Sequence, residues 1–221
     1  IPTTYNNAEI QSEMSKIYPS LSNKHSELLS GTFYENKKQN IFNAAVLITP
    51  NKKDQYYFKQ KLVPFGEYYP LGFITKPLLK SLDIPYSNLT PGSYSQPAVR
   101  FDKMTIQPLI CYDAAYTHLV KNVVKNKGAI AIISDDSWFG DSSALDQQLQ
   151  IAQMRALETG RYTLVANNTG ITAIISNKGL VIKTTPTHKR AYVQGTFRRA
   201  VGSTPYMVWG YYGVWLLILA L

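Results

Sequence analysis

With 221 residues, 45% of them hydrophobic and 17% charged, the chain can bury one sizeable core, and 13 glycines plus 12 prolines are too few for a collagen-like or low-complexity sequence. A single cysteine, Cys111, excludes an internal disulfide framework, and the scattered His25, His118 and His188 lack metal-ligand spacing, so neither a metal nor a cofactor is expected. The net charge of +9 favours anionic surroundings, but the basic residues stand in dispersed pairs such as Lys37-Lys38 and Arg198-Arg199 without a helix-turn-helix or finger pattern, which argues against nucleic acid as a partner.

In residues 7–21, Ile10, Met14, Ile17 and Leu21 recur at helical spacing and predict an amphipathic helix that Pro19 should end or bend. Strand-like runs follow at residues 28–34, 41–49 and 55–58, separated by polar turns. Between residues 63 and 97 the text becomes loop-like, with Pro64, Pro70, Pro77, Pro85, Pro91 and Pro97 blocking long regular elements.

Residues 105–111 then read as an apolar strand, 114–127 as a helix and 129–134 as a buried strand, together a β-α-β unit. Leu145, Leu149, Ala152 and Ala156 keep helical spacing, and Gly160 is placed to cap that helix. Further strands are expected at residues 163–166, 172–176, 180–183 and 192–197, which makes the class α/β or layered α+β.

Both ends suggest a longer parent. The chain opens on Ile1-Pro2-Thr3 with no signal sequence, and after Arg199 no charged residue appears. Residues 214–221 are wholly apolar and follow the aromatic-rich Trp209, Tyr211 and Tyr212, whereas a membrane span needs about 20 residues. The expectation is one domain over residues 1–213, with 214–221 forming the first turns of a truncated transmembrane helix.

Cys111 falls where an apolar strand gives way to a helix, a turn that exposes nucleophiles, although a buried free thiol is the common alternative. Its company decides between them. The segment Lys59-Gln60-Lys61-Leu62-Val63-Pro64-Phe65-Gly66-Glu67 is followed by Ile110-Cys111-Tyr112-Asp113, by Asp135-Asp136-Ser137-Trp138-Phe139-Gly140-Asp141, and by Met154-Arg155-Ala156-Leu157-Glu158 with Asn167-Asn168-Thr169-Gly170. In content and order these resemble the carbon–nitrogen hydrolase (nitrilase) superfamily, and within it the apolipoprotein N-acyltransferases, bacterial inner-membrane enzymes whose catalytic domain faces the periplasm.

The resemblance implies a four-layer α-β-β-α sandwich and an acyl transfer that proceeds through a thioester. Cys111 would be the nucleophile, taking a fatty acyl chain from a phospholipid and passing it to the N-terminal cysteine amine of a diacylglyceryl apolipoprotein. Lys59 would stabilise the thiolate and the oxyanion, and Glu67 would orient Lys59 or assist proton movement. Tyr112, Trp138 and Phe139 would wall the acyl pocket. Asp113, placed with the substrate-binding residues, stands where the acyltransferases carry glutamate and is one methylene shorter, so that a contact to Lys59 or substrate would be lost. The family's base, a glutamate just before an Ile-Pro, would lie ahead of Ile1, so this stretch alone would be inactive. Lys61 and Gln148 replace histidines usual at those positions, neither with triad chemistry. The apolar Leu71, Phe73, Ile74, Leu78, Leu79, Leu82 and Ile84 suggest a membrane-facing lid, with Lys76 and Lys80 near anionic head groups. The alternatives are a soluble amidase of the same superfamily and a non-catalytic membrane-associated binding domain.

Overall fold

The computed structural model describes residues 8–72, 75, 81, 88–101, 104–121 and 128–219. The chain divides into two compact units, Ile1–Pro97 and Ala98–Leu221.

In the first unit, helix α1 (Ala8–Asn23) precedes strands β1 (Leu28–Glu35), β2 (Ile41–Ile48) and β3 (Gln55–Phe58), which form an antiparallel sheet in that order. Pro19 lies inside α1 and does not end it. It sits on an exposed face, where the carbonyl it leaves unbonded can meet water. β2 is the central strand, paired from Leu28↔Ile48 to Glu35↔Ile41 on one side and with β3 on the other. Its run from Ala44 to Ile48 is buried throughout, which explains its unbroken apolar text. Tyr18 and Leu21 of α1 pack against Val46 and Ile48.

The second unit is built on a sheet ordered β4 (Val99–Phe101), β5 (Met104–Ile110), β6 (Gly128–Ser134), β7 (Thr163–Asn167), β8 (Ala173–Ile175) and β9 (Val181–Thr184). β5, β6 and β7 run parallel, and the remaining pairings are antiparallel. Pro108 sits within β5, beyond the point where β4 pairing stops at Ile106, so its missing N–H leaves the one-sided ladder intact. Helix α3 (Ala144–Thr159) lays Ala152 and Ala156 into a core with Leu109, Val120, Ile130 and Ile175. Gly160 takes the expected left-handed cap at φ 61°.

Three expectations need correction or narrowing. The helix expected over residues 114–127 is a 3-10 turn, Cys111–Ala115, followed by the short helix α2 (His118–Lys121), with 122–127 outside the described residues. Asp113 produces the break: its carbonyl accepts from Tyr116 N–H and closes the turn. No strand forms at residues 192–197. Gly195 interrupts that stretch and lies so close to the sheet that a Cβ would stand 2.8 Å from Ile174 Cδ1, while Lys183 Nζ reaches Gln194 O at 2.7 Å in place of a ladder bond. Of the expected lid, Phe73, Ile74, Lys76, Leu78, Leu79, Lys80, Leu82 and Ile84 lie outside the described residues.

The chain continues into helix α4 (Pro205–Trp209), capped by Thr204 Oγ1 accepting from Met207 N–H, and helix α5 (Tyr211–Leu219). Helix α5 starts ahead of residue 214, and among the described residues no helix is long and apolar enough to cross a membrane.

Candidate active site

In the first unit, Lys59 directly follows β3. Its N–H donates to Asn43 O at 2.8 Å, and its carbonyl accepts from Gly92 N–H at 2.8 Å. The side chain is 2% exposed, with Nζ 2.7 Å from Glu67 Oε2. Burying a cation this deeply is tolerable only beside an opposite charge that is itself well held. Glu67 meets that condition: Oε2 also accepts from Val63 N–H at 2.8 Å and Oε1 accepts from Asn43 Nδ2 at 2.9 Å. The carboxylate therefore belongs to a tight turn, in which Gly66 and Glu67 N–H both donate to Val63 O.

Gly92 permits the close approach that braces Lys59, since a Cβ there would stand 2.3 Å from Phe58 O. Asn43 is a site residue that sequence reasoning missed. The available signal was a lone amide in the otherwise apolar text of β2.

In the second unit, Cys111 opens the 3-10 turn at the end of β5 with φ 48°, half-buried. A non-glycine residue held in the left-handed region is strained, and such strain concentrates at functional positions. Asp113 is fully buried, and its Oδ2 accepts from Ile110 N–H at 3.3 Å. Its carboxylate thus points into the turn that presents Cys111. Tyr112, 36% exposed, stacks edge-on against Tyr116 with ring centroids 5.2 Å apart.

Trp138 and Phe139 sit in a second 3-10 turn, Ser137–Phe139, after β6, with Trp138 88% exposed. The base of that turn is the buried Asp136. Its Oδ1 accepts from Ser134 Oγ at 2.5 Å, and its Oδ2 accepts from Asn167 Nδ2. Asn167 Oδ1 returns the contact to Asp136 N–H at 3.3 Å and also takes Gly170 N–H at 3.2 Å. Farther along, Asp141 Oδ1 meets His188 Nε2 at 2.8 Å.

Behind the Cys111 turn, Arg155 of α3 donates from one nitrogen to Thr117 Oγ1 and pairs through the other with Glu158 at 3.1 Å. Burial pushes the Glu158 carboxyl above its ordinary value and outweighs the opposite pull of Arg155. The structure thus brings Lys59 to Glu67 in one unit and gathers Cys111, Tyr112 and Asp113 on one turn of the other, with Trp138 and Phe139 on a neighbouring turn in sequence. Asp136, Asn167 and Arg155 lay within the quoted motifs, but sequence alone gave them no role.

The sequence model of the carbon–nitrogen hydrolase family matches residues 2–206. The chain is 43% identical over 181 residues to an apolipoprotein N-acyltransferase of Coxiella burnetii, covering 82% of this chain and 37% of that protein. To the one from Photobacterium profundum it is 32% identical over 212 residues, covering 90% and 41%. The chain therefore spans less than half the length of these curated relatives. A solved structure of a CN-hydrolase superfamily protein from Xanthomonas campestris shares the fold with a TM-score of 0.63 at 14% identity, covering 99% of this chain and 76% of that one. The expected nitrilase-type α/β class is borne out.

Proposed function

This chain belongs to the carbon–nitrogen hydrolase family, and on that premise we propose that it is the catalytic region of an apolipoprotein N-acyltransferase. The observation that carries the reading is the buried Lys59 ammonium held 2.7 Å from Glu67. A fixed, desolvated cation of this kind is what an acyl-transfer oxyanion requires, because low dielectric strengthens its pull and no reorganisation is needed during reaction. The identity to acyltransferase relatives supports the choice of reaction.

In this reading Cys111 Sγ, as thiolate, attacks the ester carbonyl of a phospholipid. The S–C bond forms, the carbonyl pair moves onto oxygen beside Lys59, and collapse breaks the C–O bond. The lysophospholipid leaves as an alcohol, taking the proton that a base received from the thiol. The lipoprotein's N-terminal amine then attacks the thioester, loses a proton to the same base and releases Cys111 with formation of an amide. Glu67 is occupied by Lys59, Asn43 and Val63 and so acts as the holder of Lys59. The base is assigned, by resemblance, to a glutamate ahead of Ile1. Asp113 is a positioning residue for the Cys111 turn, and Tyr112, Trp138 and Phe139 contact the acyl chain. The setting is the bacterial inner membrane, with this region on the periplasmic side.

The test uses membranes from cells expressing the complete gene, incubated with phospholipid and a diacylglyceryl acceptor peptide. The reading predicts a third acyl group on the peptide's amine, resistant to hydroxylamine as an amide is. Release of free fatty acid or ammonia without transfer would favour a hydrolytic amidase, and ligand binding without turnover a non-catalytic module.

A further inference from the structure

We infer that Phe65 is a specificity-determining residue whose ring contacts the acyl chain of the donor ester. The inference rests on the acyltransferase reading and deepens it.

Residues 63–66 form a tight turn, closed by Gly66 N–H donating to Val63 O at 3.3 Å, with proline at its second position and Phe65 at its third. Phe65 has φ 63°. Turns with positive φ at the third residue take glycine or asparagine there, because a Cβ is strained in that region. Glycine is available one residue later, at Gly66, where φ is not positive. The sequence thus places a bulky ring on the position least suited to it.

Core packing does not account for the ring, because Phe65 is 66% exposed. Its described aromatic contact is an edge-on approach to Tyr69, with centroids 6.1 Å apart. Among the described residues, neither backbone preference nor burial accounts for phenylalanine here, and the partner we infer for it is external and apolar. Location selects that partner. The turn that strains Phe65 is the one whose Glu67 holds Lys59, and Phe65 N–H donates to Tyr68 O at 2.7 Å across it. On the acyltransferase reading, in which Lys59 serves the oxyanion, the turn that holds the cation also carries an exposed ring, and the hydrocarbon attached to the reacting carbonyl is the apolar partner that this reading supplies. Strain held at such a place persists because the rest of the fold offsets its cost, and it concentrates where ligands are contacted.

The test compares full-length wild type, Phe65→Gly and Phe65→Leu in detergent. Rates of Cys111 acylation are measured with a long-chain phospholipid and with a short-chain ester, together with Tm. For Phe65→Gly the long-over-short rate ratio should fall roughly tenfold, the loss expected for one aromatic contact with hydrocarbon. Its Tm should rise by about 2–4 °C as the left-handed strain is released. Phe65→Leu should keep most of the ratio. An unchanged ratio in Phe65→Gly would overturn the inference and leave the acyltransferase reading standing. A lowered Tm with equal loss on both esters would overturn it in favour of a structural ring. Absence of any Cys111 adduct in wild type would overturn the reading and the inference together.

Discussion

The Glu67 carboxylate accepts from Lys59 Nζ, Val63 N–H and Asn43 Nδ2, so the buried cation is held by a partner that is itself fixed at both oxygens. Removing Glu67 leaves Lys59 charged and buried without compensation. Glu67→Ala is expected to lose about 3–5 kcal/mol of unfolding free energy. The double variant Lys59→Met/Glu67→Gln should lose clearly less, since no uncompensated charge remains, while acylation is strongly slowed in both. Chemical denaturation of the three proteins checks the order, and equal losses would remove the ion pair from the account.

The strain at Cys111 reverses a familiar ranking. At φ 48° a glycine fits and an alanine does not. Cys111→Gly should therefore be more stable than Cys111→Ala by about 1 kcal/mol, although glycine is ordinarily the worse replacement. Thermal melts of the two inactive variants decide it.

Gly170 faces the network beneath Trp138. A Cβ there would lie 2.6 Å from both Asn167 Nδ2 and Asp136 Oδ2. Gly170→Ala is expected to cost about 1–3 kcal/mol by overpacking and to change the emission of Trp138. Asn167→Asp should be worse, because it sets two carboxylates against each other. Adding Asp136→Asn exchanges the donor and acceptor and should restore stability, a recovery that a double-mutant cycle would measure.

Much of this was legible in the sequence, for local reasons. Leu145, Leu149, Ala152 and Ala156 carried a helical period, Gly160 marked its end, and the apolar runs at β2, β5 and β6 announced buried strands. Where the structure departs from the local pattern, the causes differ. Pro19 is tolerated because its helix face meets solvent. Residues 114–127 begin with a helix-compatible text, but the buried Asp113 ties the chain into a 3-10 turn first. Residues 192–197 carry the strand-favouring Tyr192, Val193, Thr196 and Phe197, yet Gly195 rests on Ile174 and, among the described residues, the sheet ends at β9. Lys59, Glu67 and Cys111 were nominated as candidates from the sequence because each sits in a contiguous motif. Asn43 was not, since its pairing with Glu67 exists only once β2 and the 63–68 turn are folded together.

Glu158 gives the account a pH signature. Its carboxyl is raised by burial, so the folded protein holds that proton more tightly than the unfolded chain. The stability it contributes is fully present below the ordinary carboxylate range and is lost as pH rises through the raised folded value. Glu158→Gln does not titrate. The difference in Tm, variant minus wild type, should therefore increase with pH across that window and then level off. A difference that falls with pH would mean that Arg155, rather than burial, governs Glu158.

The central claim is that Cys111 carries an acyl thioester formed with the help of Lys59. Intact-protein mass spectrometry of the full-length protein after incubation with phospholipid tests it most directly, with Cys111→Ala and Lys59→Met alongside. The account predicts a fatty-acyl adduct on wild type that hydroxylamine removes, none on Cys111→Ala, and strongly slowed formation on Lys59→Met. Folded wild-type protein that accumulates no adduct from accessible lipid, or an adduct that persists in Cys111→Ala, would contradict it.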